Sequence, residues 1–159
     1  MNWQEVVESP YLQNLPFKIE LNEFGQVVMN PVKINHSFFQ SRITILLDKL
    51  RPEGIVLTEC AIWTPKGTKC ADVAWATPET FAQIGGKTEA QIAPEVCVEV
   101  TSMRNTAKEM KQKRKLYFEQ GAAEVWLCDE YGSLKFYNAA GLLEQSVMFP
   151  DFPKKIGIR

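Results

Sequence analysis

The stretch Glu95-Val-Cys-Val-Glu-Val-Thr101 constrains this chain more than any other. Strand side chains alternate in direction, so Val96, Val98 and Val100 point one way while Cys97, Glu99 and Thr101 point the other. Glu99 therefore projects from a strand that is apolar on both faces, the pattern of a strand in the middle of a sheet covered on both sides. A carboxylate in that position is costly unless a cation or hydrogen bonds meet it. The nearest candidate partner is Asp72, in the strand-like run Cys70-Ala-Asp-Val-Ala-Trp75. Both acids precede the one strongly basic helix of the chain, an order that suggests a hard divalent metal ion facing a polyanion.

The charge balance bears on that suggestion. A net charge of -1 and a pI near 5.9 give no overall attraction for nucleic acid. Locally the balance is different: between Arg104 and Lys115 six basic residues stand against the single acid Glu109. The 159 residues, 45% hydrophobic and 23% charged, suffice for one full core, and one domain over 1–159 is the expectation. No apolar run approaches the roughly 20 residues that span a bilayer, so no membrane association is expected and a cytoplasmic location is. The four cysteines form no CxxC pair and there is one histidine. Reduced core thiols are expected in place of a zinc site.

Strands and helices interleave along the chain. A short helix near Trp3 to Ser9 is stopped by Pro10. Phe17 to Asn22 alternates cleanly and forms a hairpin with Gln26 to Met29, with Phe17, Ile19 and Leu21 on one face and Lys18, Glu20 and Asn22 on the other. A helix is expected from Asn35 to Leu50, with Phe38, Ile43, Ile45, Leu46 and Leu50 as its apolar positions. Strand-like runs follow at Gly54 to Trp63 and around Asp72, then a short helix at Pro78 to Ile84 and the Glu99 strand. Thr106-Ala-Lys-Glu109 has capping-box spacing and Gly121 supplies a stop, which predicts a helix from Thr106 to Gln120. Strands at Glu124 to Cys128 and Ser133 to Tyr137 complete the pattern. The class is α/β or α+β with a mixed sheet.

On the basic helix, at about 100° per residue, Thr106, Ala107, Met110, Tyr117 and Gly121 share one side. Lys113 lies within that stripe, where a lysine must snorkel out or find a carboxylate. Arg114 borders the stripe as an alternative, and Lys108, Lys111 and Lys115 form an opposite face read as solvated surface, with phosphate contact as the alternative.

With Asp72, Glu99 and Lys113 in view, the sequence resembles the putative restriction endonuclease family within the PD-(D/E)xK nuclease superfamily. The densest part of the match is Val98-Glu-Val-Thr-Ser102, Asn105-Thr106, Glu109-Met110, Lys113-Arg114, Leu116-Tyr-Phe118 and Gly121 to Asp129. Glu20 with Gly25, His36, and Asp72 with Trp75 extend it toward the amino terminus. The resemblance implies an α/β fold with a restriction-endonuclease-like mixed central β-sheet flanked by helices. It also implies Mg²⁺ (or Mn²⁺) held by Asp72, Glu99 and the backbone carbonyl of Val100, with Glu20 completing the shell. The superfamily pattern places a lysine two residues after the glutamate, where this chain has Thr101. In the implied family that lysine has moved to the following helix, which gives Lys113 here. Lys113-x-x-x-Tyr117 also stands where related nucleases carry Gln-x-x-x-Tyr, a structural role. Ala71 replaces the proline that usually precedes the aspartate.

The function implied is metal-dependent phosphodiester hydrolysis of DNA, with RNA left open. The alternative is a catalytically silent nucleic-acid-binding or accessory module of the same fold. A homodimer is a third expectation, because one such domain cuts one strand at a time, and Phe136, Tyr137, Leu142 and Leu143 could supply its interface. Each residue also has a plainer reading: Asp72 as a turn cap, Glu99 in a structural salt bridge, Glu20 on a hairpin surface, His36 as a helix-start or hydrogen-bonding residue, and Trp63, Trp75 and Trp126 as core.

Overall fold

The structure is a computed structural model that describes residues 1–158. A six-stranded mixed sheet forms its centre. Its strands, in spatial order, are β3 (Ile55–Ile62), β4 (Lys69–Ala76), β5 (Val96–Val100), β6 (Glu124–Cys128), β7 (Leu134–Asn138) and β8 (Gly141–Leu143). Only β5 and β6 run parallel, and the helix α4 (Ala107–Glu119) connects them; the other neighbours are antiparallel. The Glu99 strand is thus central and buried along its whole length, as its two-faced apolar pattern requires.

The alternation in β5 sorts the core into two halves. Val96, Val98 and Val100 join Val73, Trp75 and Trp126 under the helix α2 (Ile34–Leu50). Cys97 joins Val125, Tyr117 and Ile84 under α4 and the helix α3 (Pro78–Ile84). The α2 side is dominated by aromatic rings: Trp126 meets Phe136 edge-on at 4.9 Å between centroids and Phe149 at 5.6 Å. Such pairs contribute about 0.5–1.5 kcal/mol each beyond area burial.

Several expectations are corrected here. On α2 the buried residues are Phe39, Ile43 and Leu47, one per turn, while Ile45 and Leu50 face solvent. Apolar residues occur on more than one face of that helix, so periodicity alone could not single out the packed one. Trp63 lies just past the end of β3 and is 41% exposed, not core. Phe136 is buried against Trp126, and Leu143 packs on the same cluster; of the four candidate interface residues only Leu142 is plainly exposed. The three residues of β8 carried no strand expectation, being too short for a readable alternation.

A separate two-stranded hairpin, β1 (Phe17–Leu21) and β2 (Val27–Pro31), lies beside β4. The Leu21 amide donates to the Thr68 carbonyl at 2.9 Å. Gly67 permits this approach: its φ is +93°, and any Cβ there would collide with the Leu21 carbonyl. A helix α1 (Trp3–Glu8) precedes the hairpin. Among the described residues no helix is long and apolar enough to cross a membrane.

All four cysteines, which lie among the described residues, are unpaired. Burial pushes the Cys60 thiol up to about 11 and the Cys128 thiol up to about 12. Since the thiolate is the reactive form, native protein at pH 8 is expected to react slowly with Ellman's reagent, the half-buried Cys60 first, and to release four thiols only when denatured. Rapid release of two or more from the native state would contradict this packing.

Candidate active site

The antiparallel ladder between β4 and β5 pairs Trp75 with Val96, Ala74 with Cys97 and Val73 with Val98, and goes no further. The next rung would bring Asp72 opposite Glu99. Instead the Asp72 side chain substitutes for a backbone partner, its Oδ2 accepting from the Val100 amide at 2.8 Å. On the other flank of β4, Glu59 adopts a left-handed φ of 53°, and the β3–β4 pairing is interrupted between Thr58↔Val73 and Cys60↔Ala71. The Asp72 carbonyl is met there by the Gln40 side-chain amide at 2.8 Å. Alternation in β4 breaks at this point, because Ala71 packs on the α4 side although Val73 and Trp75 pack on the α2 side. A non-glycine residue in the left-handed region is unfavourable and persists where its surroundings fix it.

Around this break five charged side chains converge. Asp72 is fully buried and Glu99 nearly so. Lys18, from β1, stands 3.0 Å from Asp72 Oδ1 and 2.7 Å from Glu99 Oε2. Lys113, from α4, lies 3.1 Å from Glu99 Oε1 and 2.8 Å from Glu20 Oε2. Glu20 also accepts from the Cys70 amide at 2.7 Å, and the Tyr117 hydroxyl donates to Glu99 Oε1 at 2.7 Å. His36 Nε2 is 3.3 Å from Asp72 Oδ1. A cavity of about 140 Å³ opens beside the cluster, walled by Lys18, Glu20, Glu99, Val100 and Lys113, with the exposed Asn30 and Ser102 toward solvent.

The environments of the two central acids differ. Burial alone would raise the Asp72 carboxyl, yet Lys18, His36 and the Val100 amide outweigh it and hold Asp72 well below the usual carboxylate range. Burial likewise opposes the Glu20 charge, and Lys113, Lys18 and the Cys70 amide overcome it, lowering Glu20. For Glu99 burial wins: Lys113 and Lys18 offset it in part, while Asp72 and Glu20 push the same carboxyl further up. Lys18 is disfavoured by burial but held well above the ordinary lysine range by Glu99, Asp72 and Glu20. Asp72 is the firmly ionised acid, and Glu99 is the one that protonates first.

The candidate residues named from sequence are therefore brought together: Asp72, Glu99, Lys113, Glu20 and Val100 all belong to this cluster or its cavity wall. Glu20 is not a hairpin surface residue. Arg114 is elsewhere, its guanidinium 3.9 Å over the Tyr137 ring, and Lys108, Lys111 and Lys115 are exposed and outside the cavity. Sequence reasoning gave no role to Lys18 or Gln40 and named no partner for His36. For Lys18 a signal existed, since it shares the polar face of β1 with Glu20. His36 and Gln40 lie one turn apart on α2, and only the packing of that helix reveals that both reach Asp72.

Among the described residues no three His, Cys, Asp or Glu side chains are gathered at metal-ligand geometry. The donor chemistry nevertheless suits a hard divalent ion: two buried carboxylate oxygens, one from Asp72 and one from Glu99, already converge on one cation, the Lys18 ammonium. Asp72 Oδ1, though 3.0 Å from Lys18 Nζ and 3.3 Å from His36 Nε2, has no well-aligned hydrogen bond, so it keeps acceptor capacity of the kind that a bound ion takes up.

A mixed sheet flanked by helices, with acids meeting where two central strands part, is a restriction-endonuclease-like, nuclease-type architecture. A solved structure described as "a putative nuclease belonging to DUF820 from Anabaena variabilis" shares the fold with a TM-score of 0.69, at 15% sequence identity over 87% of this chain and 79% of that one. The family described as "Uma2: Putative restriction endonuclease" matches residues 3–148, and the chain belongs to that family. None of the curated proteins matches it.

Proposed function

We propose that this protein is a divalent-metal-dependent nuclease that hydrolyses phosphodiester bonds of DNA. The observation that carries this reading is the pairing of Asp72 and Glu99 around a single cation position at the end of the β4–β5 ladder, with Lys113 alongside. Asp72, Glu99 and the Val100 carbonyl would hold Mg²⁺ or Mn²⁺. Such an ion supplies Lewis acidity toward the phosphodiester and neutralises charge that builds on its oxygens.

The chain's own groups do the rest. Lys113 presents an ammonium at the cavity wall, where it can orient a water and stabilise negative charge in the transition state. Glu20 holds Lys113 at 2.8 Å and is itself fixed by the Cys70 amide, so its part is positioning. Tyr117 fixes the Glu99 carboxylate from the α4 side. Cutting both strands of a duplex takes two such sites, which is the reason to expect a pair of copies.

The alternative, a nucleic-acid-binding module without turnover, draws on the Lys18 ammonium, which already neutralises part of the acid cluster without any metal. One experiment separates the two. Supercoiled plasmid, single-stranded DNA and RNA are incubated with the wild type, Asp72→Asn and Lys113→Met in Mg²⁺, Mn²⁺ or EDTA. Metal-dependent cleavage that falls by about 10²–10³-fold in each variant is the expected result. Retention of nucleic acid by the wild type with no cleavage under any condition would establish the binding module instead.

A further inference from the structure

Lys18 and Lys113 enter the acid cluster from opposite sides and are not equivalent. Lys113 has its own pair of carboxylates, Glu20 and Glu99, at 2.8 and 3.1 Å. Lys18 alone joins Asp72 to Glu99, at 3.0 and 2.7 Å, from a side chain that is 10% exposed. We propose that the Lys18 ammonium is an internal cation occupying the divalent-ion position between Asp72 and Glu99, so that the ion binds only as Lys18 withdraws. This rests on the nuclease reading and adds to it a device that sets how much free metal the site needs.

Sterics and charge both support mutual exclusion. A bound Mg²⁺ takes its oxygen ligands at roughly 2.0–2.1 Å, and in this fold the oxygens that would supply them converge on Lys18 Nζ. Leaving His36 aside, the three carboxylates exceed the two ammoniums by one negative charge. Adding a divalent ion with both lysines in place would make a buried cluster net positive. With Lys18 withdrawn, the ion and Lys113 balance the three acids, which is the arrangement a low-dielectric site tolerates.

The fit of the ammonium is also imperfect. Asp72 Oδ1 lies close to Lys18 Nζ yet has no well-aligned hydrogen bond, so the lysine fills the position without satisfying it fully. Withdrawal needs no rearrangement of the sheet. A four-carbon stem with several rotatable bonds can swing the head into the adjoining cavity of about 140 Å³, which Lys18 lines.

The test is Mn²⁺ binding by calorimetry to the full chain as wild type and Lys18→Met, run beside lysine footprinting of the wild type by reductive methylation with and without Mg²⁺. If the ion-competent arrangement is a minority in the wild type, Lys18→Met binds Mn²⁺ about tenfold or more tightly. Lys18 of the wild type is then methylated faster when Mg²⁺ is present. Should the wild type bind Mn²⁺ while Lys18→Met binds no more tightly, or should Mg²⁺ leave Lys18 labelling unchanged, ion and lysine coexist; the inference falls and the nuclease reading stands. No Mn²⁺ binding by either protein overturns both. If Lys18→Met fails to fold, the footprint of the wild type decides alone.

Discussion

Glu99→Ala is expected to lower folding stability by about 3 kcal/mol, the lower end of the cost of breaking a buried ion pair, since one acid leaves a network whose two ammoniums each keep a second carboxylate. Among the described residues Glu99 alone touches Lys18, Lys113 and Tyr117 together, so its removal leaves Lys18 with Asp72 only, Lys113 with Glu20 only, and the Tyr117 hydroxyl without its acceptor. Urea denaturation of the variant beside the wild type measures this directly, and a loss under about 1 kcal/mol would mean that water already reaches the cluster. Glu99→Gln keeps the shape and one carbonyl oxygen, retains more stability than alanine, and removes the ligand charge. It is expected to abolish metal-dependent cleavage while the protein remains folded. Because Glu99 is raised by burial and by Asp72 and Glu20, its carboxyl is the first of the cluster to protonate as pH falls. Metal affinity should accordingly decline on acidification before Asp72, which is held low, takes up a proton.

The second large effect lies away from the cavity. Glu124 is buried and its carboxylate accepts from the Trp126 indole at 2.8 Å, the Ser146 hydroxyl at 2.6 Å, and the Val147 and Met148 amides at 2.9 Å each. It is the peg on which the loop leading to Phe149 hangs, and Phe149 closes the aromatic core over Trp75 and Trp126. Glu124→Ala is expected to destabilise the fold by about 3 kcal/mol, through unmet buried donors and a cavity. Amide exchange at Val147 and Met148 should accelerate in the same variant. Unchanged exchange at those two amides would show that the loop is held by Phe149 and Phe152 alone.

What the sequence made legible followed from regular geometry. The two-faced apolar pattern placed Glu99 on a central strand, and the capping box placed α4 correctly, with Thr106 accepting from the Glu109 amide at 3.1 Å. Once α4 was fixed, its core-facing stripe put Lys113 near Glu99. Irregular geometry was less legible. The divergence of β4 from β5 and the left-handed Glu59 leave no periodic trace, so nothing indicated that Asp72 would cap the Val100 amide. Lys18 left only a weak signal, the polar face that it shares with Glu20: a lysine on such a face is ordinarily solvated, and only the packing of that hairpin against β4 turns it inward. Trp63 erred in the opposite direction, since an apolar residue at the end of a strand-like run need not lie inside.

The acid cluster draws on positions far apart in the chain. Lys18 meets Glu99 across 81 positions, with α2, β3 and β4 between them. Contacts of such separation carry a large loop-closure cost and tend to form late, after local helices and neighbouring strand pairs. Sequence separation alone therefore leads us to expect that a refolding chain pairs Asp72 and Glu99 within the sheet before the hairpin delivers Lys18. The order of folding events would leave the acids briefly unsheltered, and the arrival of the hairpin is the step that makes the interior electrostatically complete.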